Sequence, residues 1–500
     1  MLLTVKNLTI EFTHDGRPVR AVDGIDFSVK ENEIVGIVGE SGSGKTVTAL
    51  SAIDLLPKTN CRLSGEIARN TKIAMIFQEP FTSLNPVMRA GEQIDEAILL
   101  REKVTGKEAK ERAIKLLGKV KIKDPERVYN SYPHMLSGGQ RQRVMIAMAL
   151  ALEPGLLIAD EPTTALDVTV QAGILELLTG LKNELAMSVL FITHDFGVMR
   201  KIAERILVMK EGKIVERGKR EEIFSRPEAE YTRRLLEAVP KIDISRRAKK
   251  ETPERGTTLM EARYLSKSFA VEKGLLKTAS GRVDAVKEAS FRIEKGRTLG
   301  IVGESGSGKT TLGKLIAGLL TPDSGEISGK DSRRKTQIVF QDPASSLDPR
   351  MKMKDIILEG AAISNIPKKD RDAMLRDVLF KVQLKYKDRD KYPHRFSGGE
   401  KQRIAIARAL AVKPEIIVLD EPVSSLDVII QSDIIGLLKH LQKELFLTYV
   451  FISHDLRIVG NMADFVAVMR NGEIVEYAPG ELIYSSPRHE YTKKLISGVL

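Results

Sequence analysis

A single cysteine, Cys61, stands in 500 residues. That excludes an internal disulfide and any metal cluster held by cysteines alone, and leaves Cys61 as an ordinary side chain expected in a loop. No uninterrupted apolar run reaches the ~18 residues that span a bilayer. The N-terminal residues enter a strand-like pattern at once, without the charged region and cleavage site of a secretory signal, so a cytoplasmic location is expected. Acidic residues are outnumbered, 67 against 79 basic, for a formal net charge of +12. The excess is spread along the chain rather than gathered in blocks. It reads as a surface property weighted toward an anionic membrane face, with no nucleic acid expected. At 42% hydrophobic and 29% charged residues the composition is that of a folded globular protein, and the length calls for about two to four domains.

What is present is one stretch, twice: Gly39-Glu40-Ser41-Gly42-Ser43-Gly44-Lys45-Thr46 and Gly303-Glu304-Ser305-Gly306-Ser307-Gly308-Lys309-Thr310. Each follows a short apolar run (residues 34–38 and 299–302) and precedes a helical pattern, the setting a phosphate-binding P-loop requires. The glycines let successive backbone N–H groups converge on one anion, and the helix adds its positive dipole end. Lys45 and Lys309 would reach β- and γ-phosphates, and the hydroxyls of Thr46 and Thr310 would hold Mg²⁺.

The two copies lie 264 positions apart, and three later landmarks repeat at 260. A period this long means two whole domains in tandem, since solenoid units run only to ~50 residues. Residues 1–240 form the first, 259–500 the second, and 241–258 the linker. The linker holds six basic and three acidic residues with little apolar content; its Arg246-Arg247-Ala248-Lys249-Lys250 run is expected to be solvated. Each half opens with two strand-like segments (4–12 and 25–30; 259–269 and 289–293). A strand ending in Gln78 or Gln341 follows the P-loop helix, then an amphipathic helical region such as 107–120. After Ser-Gly-Gly come a helix (141–152; 401–412) and a wholly apolar strand. Apolar strands alternating with helices predict an α/β fold with a mainly parallel sheet covered on both faces.

Phosphoryl transfer also needs a carboxylate at the end of a buried strand to position the metal. Asp160 and Asp420 end the runs 156–160 and 416–420. Glu161 and Glu421 follow at once and point to the other side of the strand end, where a general base for an attacking water is needed. His194 and His454 each end a further apolar strand, 34 residues beyond those aspartates.

The stretches Leu136-Ser137-Gly138-Gly139-Gln140-Arg141-Gln142 and Phe396-Ser397-Gly398-Gly399-Glu400-Lys401-Gln402 resemble the signature of ATP-binding cassette (ABC) ATPases. The resemblance covers nearly the whole chain, with the full motif set in both halves. It implies two P-loop NTPase domains, each with an antiparallel β subdomain and a helical subdomain. It implies Gln78 and Gln341 as Q-loop residues and metal contacts beside Thr46, Asp160, Thr310 and Asp420. Asp167 and Asp427 fall in the D-loops, His194 and His454 are the switch histidines, and Phe12 and Phe269 stand where the family stacks an aromatic on adenine. In an aromatic-poor chain, at 5%, a core phenylalanine is the rival reading. The family's signature serves the opposite cassette. One ATP site would thus join the first P-loop, Gln78, Asp160, Glu161 and His194 to Ser397, Gly398 and Gly399. The other would join the second P-loop, Gln341, Asp420, Glu421 and His454 to Ser137, Gly138 and Gly139.

Several stretches are similar to the oligopeptide/dipeptide/nickel importer subfamily: Gln78-Glu79-Pro80-Phe81-Thr82-Ser83-Leu84-Asn85-Pro86, its counterpart from Gln341 to Pro349, Tyr-Pro-His before each signature, and a Tyr-Thr element at 231–232 and 491–492. Tyr-Pro-His is expected to be structural, because Pro fixes the approach to the signature helix. Glu230 and Glu490 replace the proline of the subfamily's C-terminal element. Spacing from Gln to the signature Ser is 59 in one half and 56 in the other, a variation located where the family receives its membrane subunits. The resemblance implies an ATPase that energises import of peptides or related small solutes such as nickel, at the cytoplasmic membrane face. Its partners would be two integral membrane permeases and an extracytoplasmic solute-binding protein. Two other readings are a tandem cassette acting on ribosomes or nucleic acid, and a sugar-importer fusion. The first branch carries a longer helical linker, and in the second one cassette commonly has weakened motifs.

Overall fold

A computed structural model describes residues 1–14, 17–78, 83–164, 166–240, 256–273, 278–329, 335–363, 366–424 and 426–499. Most of the linker, its Arg246 to Lys250 run and the Glu79-Pro80-Phe81-Thr82 stretch lie outside them. The chain forms two compact units, Met1–Val239 and Pro240–Leu500.

The first unit is built on nine strands: β1 Leu3–His14, β2 Arg17–Val29, β3 Ile34–Val38, β4 Cys61–Arg69, β5 Ile73–Ile76, β6 Leu156–Asp160, β7 Ser188–Thr193, β8 Arg205–Lys210 and β9 Lys213–Lys219. They divide into a three-stranded antiparallel sheet, β2-β1-β4, and a six-stranded sheet, β5-β6-β7-β3-β8-β9. The first five strands of the larger sheet are parallel and β9 is antiparallel to β8. Composition explains the order. Every residue of β3, β6 and β7 is buried, as a strand with both faces covered requires, whereas β9 alternates exposed and half-buried positions, as an edge strand does. Val5, Leu8, Ile10, Val22 and Phe27 of the small sheet pack on Ile37, Ile158, Leu190 and Ile192 of the large one, each buried side chain contributing about 1.5–3 kcal/mol.

The second unit repeats this with β10 Thr258–Lys273, β11 Thr278–Glu294, β12 Thr298–Val302, β13 Ser324–Ser328, β14 Thr336–Val339, β15 Ile416–Asp420, β16 Thr448–Ser453, β17 Phe465–Arg470 and β18 Glu473–Pro479. Its sheets run β11-β10-β13 and β14-β15-β16-β12-β17-β18. In the first unit the helices Ala90–Arg101, Gly106–Lys119 and Gly138–Ala151 pack together as a helical subdomain; Met353–Ile363, Lys368–Lys381 and Gly398–Leu410 do so in the second.

Two expectations are corrected. Cys61 is not in a loop: it begins β4 and pairs with Phe12 on β1. The signature helix begins at Gly138 and Gly398, three residues earlier than the apolar pattern indicated, because Ser137 and Ser397 cap it.

Parallel register positions the site. Val38 lies opposite Thr193, and Asp160 opposite Ile192, so the P-loop, the Asp160-Glu161 pair and His194 all leave the sheet at its carboxyl edge. That edge is where open α/β sheets bind ligands. Val302, Ser453 and Asp420 keep the same register in the second unit.

Candidate nucleotide site in each unit

Gly44 stands at φ 99° as the N-cap of helix Lys45–Ala52, and Gly308 at φ 101° before Lys309–Ile316. A side chain at either would be strained and would run into the carbonyl of Ala21 or Ala285. This bend turns the chain so that the helix start faces the loop. Inside it, Lys45 Nζ donates to the carbonyls of Gly39 (2.8 Å) and Glu40 (2.7 Å). Lys309 Nζ does the same to Gly303 (2.7 Å) and Glu304 (2.8 Å). Both ammonium groups are buried, each residue 5% exposed, and a buried cation lodged against backbone carbonyls is well matched to an anion.

Asp160 is 1% exposed and its Oδ1 has no hydrogen-bond partner. Burial, with the Glu161 charge adding to it against the Thr46 hydroxyl and Lys45, pushes its carboxyl up to about 6. Asp420 is raised for the same reason; its Oδ1 accepts from Thr310 Oγ1 at 3.1 Å. A buried carboxylate with an orphaned oxygen beside a threonine hydroxyl is the donor set a hard divalent cation takes. The residues present therefore fit Mg²⁺ held by Thr46 and Asp160, and by Thr310 and Asp420.

The structure brings Gln78, Glu161 and His194 together. Glu161 Oε2 accepts from Gln78 Nε2 (2.9 Å) and from Thr164 Oγ1 (2.9 Å), while Oε1 lies 3.1 Å from His194 Nδ1. In the second unit Glu421 Oε2 accepts from Gln341 Nε2 and faces His454 Nδ1, both at 3.1 Å. Burial pushes each glutamate up, but the histidine bond and charge outweigh it and leave both carboxyls below their ordinary range. His454 is raised: burial opposes its charged form, and Glu421 more than compensates. Glu161 and Glu421 stand at φ 47° and 46°, a conformation non-glycine residues rarely adopt and one that clusters at functional sites. An ionised, oriented carboxylate next to Asp160 or Asp420 can accept a proton from water.

Ser137 and Ser397 cap their helices, accepting from Gln140 N and Glu400 N at 3.3 Å. Gly139 and Gly399 lie where a side chain would press on Val170 or Ile430. Asp167 and Asp427 precede helices Val168–Glu184 and Val428–Leu445. Phe12 packs partly buried against the core, whereas Phe269 is 41% exposed with the Lys267 ammonium 5.9 Å from its ring centre. The two members of that pair thus differ in setting. Tyr132 stacks on His134 and Tyr392 on His394, with ring centres 5.7 and 6.0 Å apart. Sequence reasoning missed Thr164, which nothing in the motif singled out. It also gave no role to Tyr231 and Tyr491, although the repeated Tyr-Thr was in view.

The family model for ABC transporters matches residues 22–164 and 286–424. That for the oligopeptide/dipeptide transporter C-terminal region matches 215–267 and 475–500. The chain is 45% identical, over 99% of its length and 96% of the relative's, to the peptidoglycan transport ATP-binding protein YejF of Agrobacterium fabrum. It is 44% identical to the glutathione import ATP-binding protein GsiA of Shigella boydii, covering 100% of this chain and 89% of that one. Among solved structures, an archaeal ribosome recycling factor, aABCE1, in complex with the ribosomal stalk protein aP1 matches 98% of this chain and 92% of its own, with a TM-score of 0.67 at 20% identity; that likeness is one of fold. No helix among the described residues is long and apolar enough to cross a membrane. With these motifs in place in both units, the chain belongs to the ATP-binding proteins of ABC transporters, in the branch that carries the oligopeptide/dipeptide C-terminal region, and is an ATPase that uses ATP with Mg²⁺.

Proposed function

We propose that this chain drives import of peptides or related small solutes through two separate membrane permeases served by an extracytoplasmic solute-binding protein, working at the cytoplasmic face of the membrane. The observation that carries the reading is the oligopeptide/dipeptide C-terminal region at the end of each unit. The relatives named for glutathione and peptidoglycan transport, both substrates with a peptide portion, agree with it.

Each unit supplies a P-loop, Gly39 to Thr46 or Gly303 to Thr310, whose N–H groups and lysine would bind the phosphates. Bound Mg²⁺ would offset the charge on the β- and γ-phosphate oxygens. Glu161 and Glu421 accept the proton of the attacking water, Gln78 and Gln341 orient it, and His194 and His454 hold the carboxylates in place. Ser137, Gly138 and Gly139 form one helix N-terminus suited to an anion, and Ser397, Gly398 and Gly399 the other. In the proposed arrangement each signature completes the site of the opposite P-loop, with Asp167 and Asp427 beside it and Phe12 and Phe269 against adenine. Loss of the γ-phosphate then removes charge-assisted bonds of about 1.5–3 kcal/mol each that join the units, and the pair opens.

The test is affinity purification of the full chain from membranes. Two permeases are expected with it, and peptide-loaded binding protein should stimulate ATP hydrolysis in the reconstituted assembly. Sedimentation with ribosomes and no permease would contradict the proposal.

A further inference from the structure

In each unit one peptide group of the P-loop is gripped at both ends. The carbonyl of Gly39 accepts from Lys45 Nζ at 2.8 Å, and the N–H of the same peptide, on Glu40, donates to Tyr231 Oη at 3.2 Å. In the second unit Lys309 Nζ reaches Gly303 O at 2.7 Å, and Glu304 N–H donates to Tyr491 Oη at 3.1 Å. Tyr231 is 8% exposed and Tyr491 5%. Because a peptide group is planar, fixing its N–H fixes the direction of its carbonyl, and that carbonyl holds the lysine.

The tyrosine is itself set from behind. It is the second residue of helix Glu230–Ala238 or Glu490–Val499. The chain just before it is clamped by a carboxylate on the edge strand: Glu216 accepts from Glu228 N (2.8 Å) and Ala229 N (3.1 Å), and Glu476 from Arg488 N (2.9 Å) and His489 N (3.1 Å). A cation lies over each ring, Lys210 at 5.2 Å and Arg470 at 4.9 Å from the centre. The intermediate residues differ between units while the chain of contacts from edge strand to lysine is repeated. A tyrosine that merely needed some buried acceptor or donor would have no reason to choose this peptide twice.

We infer that Tyr231 and Tyr491 are positioning residues for ATP, acting through Lys45 and Lys309, and that each unit's C-terminal segment thereby sets the nucleotide affinity of its own P-loop. The inference rests on the reading of those lysines as phosphate-binding groups. Both tyrosines lie within the matched oligopeptide/dipeptide C-terminal region, which gains a role in the nucleotide site.

The experiment is steady-state ATP hydrolysis by the full chain carrying Tyr231→Phe with Tyr491→Phe. KM for ATP is expected to rise about 3- to 10-fold, the span of one lost hydrogen bond, with kcat within about twofold of wild type. A fluorescent ATP analogue then closes a double-mutant cycle. In a Lys45→Ala, Lys309→Ala background the tyrosine substitutions should change its affinity by less than about twofold, because the group through which they act is gone. An unchanged KM in the tyrosine variant, or an equal loss of affinity with and without the lysines, overturns the inference while leaving the site reading intact. If the lysine substitutions themselves leave affinity unchanged, the site reading falls and the inference with it. Should the tyrosine variant fail to fold, Glu216→Gln with Glu476→Gln loosens the same clamp: a smaller rise in KM supports the inference, and none overturns it.

Discussion

The two units hold the same chemistry in different surroundings. Around the P-loops and the strand-end glutamates the match is nearly atom for atom: Lys45 and Lys309 on the same two carbonyls, Glu161 and Glu421 on the same glutamine and histidine. A few ångströms outward it dissolves. Thr164 donates to the carboxylate of Glu161, whereas Ser424, which also faces the Glu421 carboxylate, turns its hydroxyl to the backbone carbonyl of Glu421 as well. Asp195 accepts from Gly197 N and Asp455 from Arg457 N, but Asp455 also grips the Arg457 guanidinium with both oxygens. Asp23 pairs with Lys213 in one unit and Lys287 with Glu473 in the other, the same bridge with its charges exchanged. Geometry is held constant where reacting atoms must be placed to within a fraction of an ångström, and is free to vary where many pairs of residues give equal packing.

The largest effect is expected on removing the proposed base from both units. Glu161→Gln with Glu421→Gln should lower ATP turnover at least ~100-fold while leaving ATP binding in a filter assay intact; normal turnover would remove both from that role. Lys45→Ala and Lys309→Ala, made singly, should each weaken ATP binding at one of the two sites by roughly 10- to 100-fold, the value of a lost charge-assisted bond. Calorimetric titration showing two undisturbed sites would contradict the assignment.

Arg457→Ala asks about stability instead. Asp455 is buried, which pushes its carboxyl up, but the Arg457 charge and bonds outweigh this and hold it below the ordinary range. A lowered folded value means the contribution is present above the unfolded value of about 4 and is lost as pH falls through the folded one. The variant should therefore lose about 1.5–3 kcal/mol in the second unit at pH 7 in a denaturant melt, and the gap should close in acid. A gap independent of pH would reject the ion pair as its cause. The smallest effect is expected at Phe446, 77% exposed at φ 52° where the first unit has Ala186 at φ 49°. Phe446→Asn should stabilise the second unit by up to ~1 kcal/mol, since asparagine tolerates the left-handed region and no packing is lost; destabilisation would mean the ring is engaged.

Much of the site was legible in the chain because the chemistry leaves little choice of residue. A lysine and threonine after the glycines, an aspartate and glutamate ending one strand and a histidine ending another can be read in order. What escaped reading depends on contacts across long separations or on strands without apolar alternation. Tyr231 meets Glu40 across 191 residues, and no local pattern announces that. β4 carries no apolar pattern because its residues are all exposed or half-buried, so the chain around Cys61 has a loop's composition. β5 ends at Ile76 rather than Gln78, since Phe77, 38% exposed, continues the apolar run without continuing the sheet.

In the proposed arrangement ATP closes each P-loop onto the other unit's signature. The most direct test is a pair of spin-label distances in a Cys61→Ser, Glu161→Gln, Glu421→Gln chain: Leu55→Cys with Arg395→Cys, and Leu319→Cys with Met135→Cys. These exposed positions flank the two P-loop helices and the two signatures. Addition of ATP and Mg²⁺ should shorten both distances together and narrow their distributions. Distances that stay unchanged with ATP bound would contradict the account.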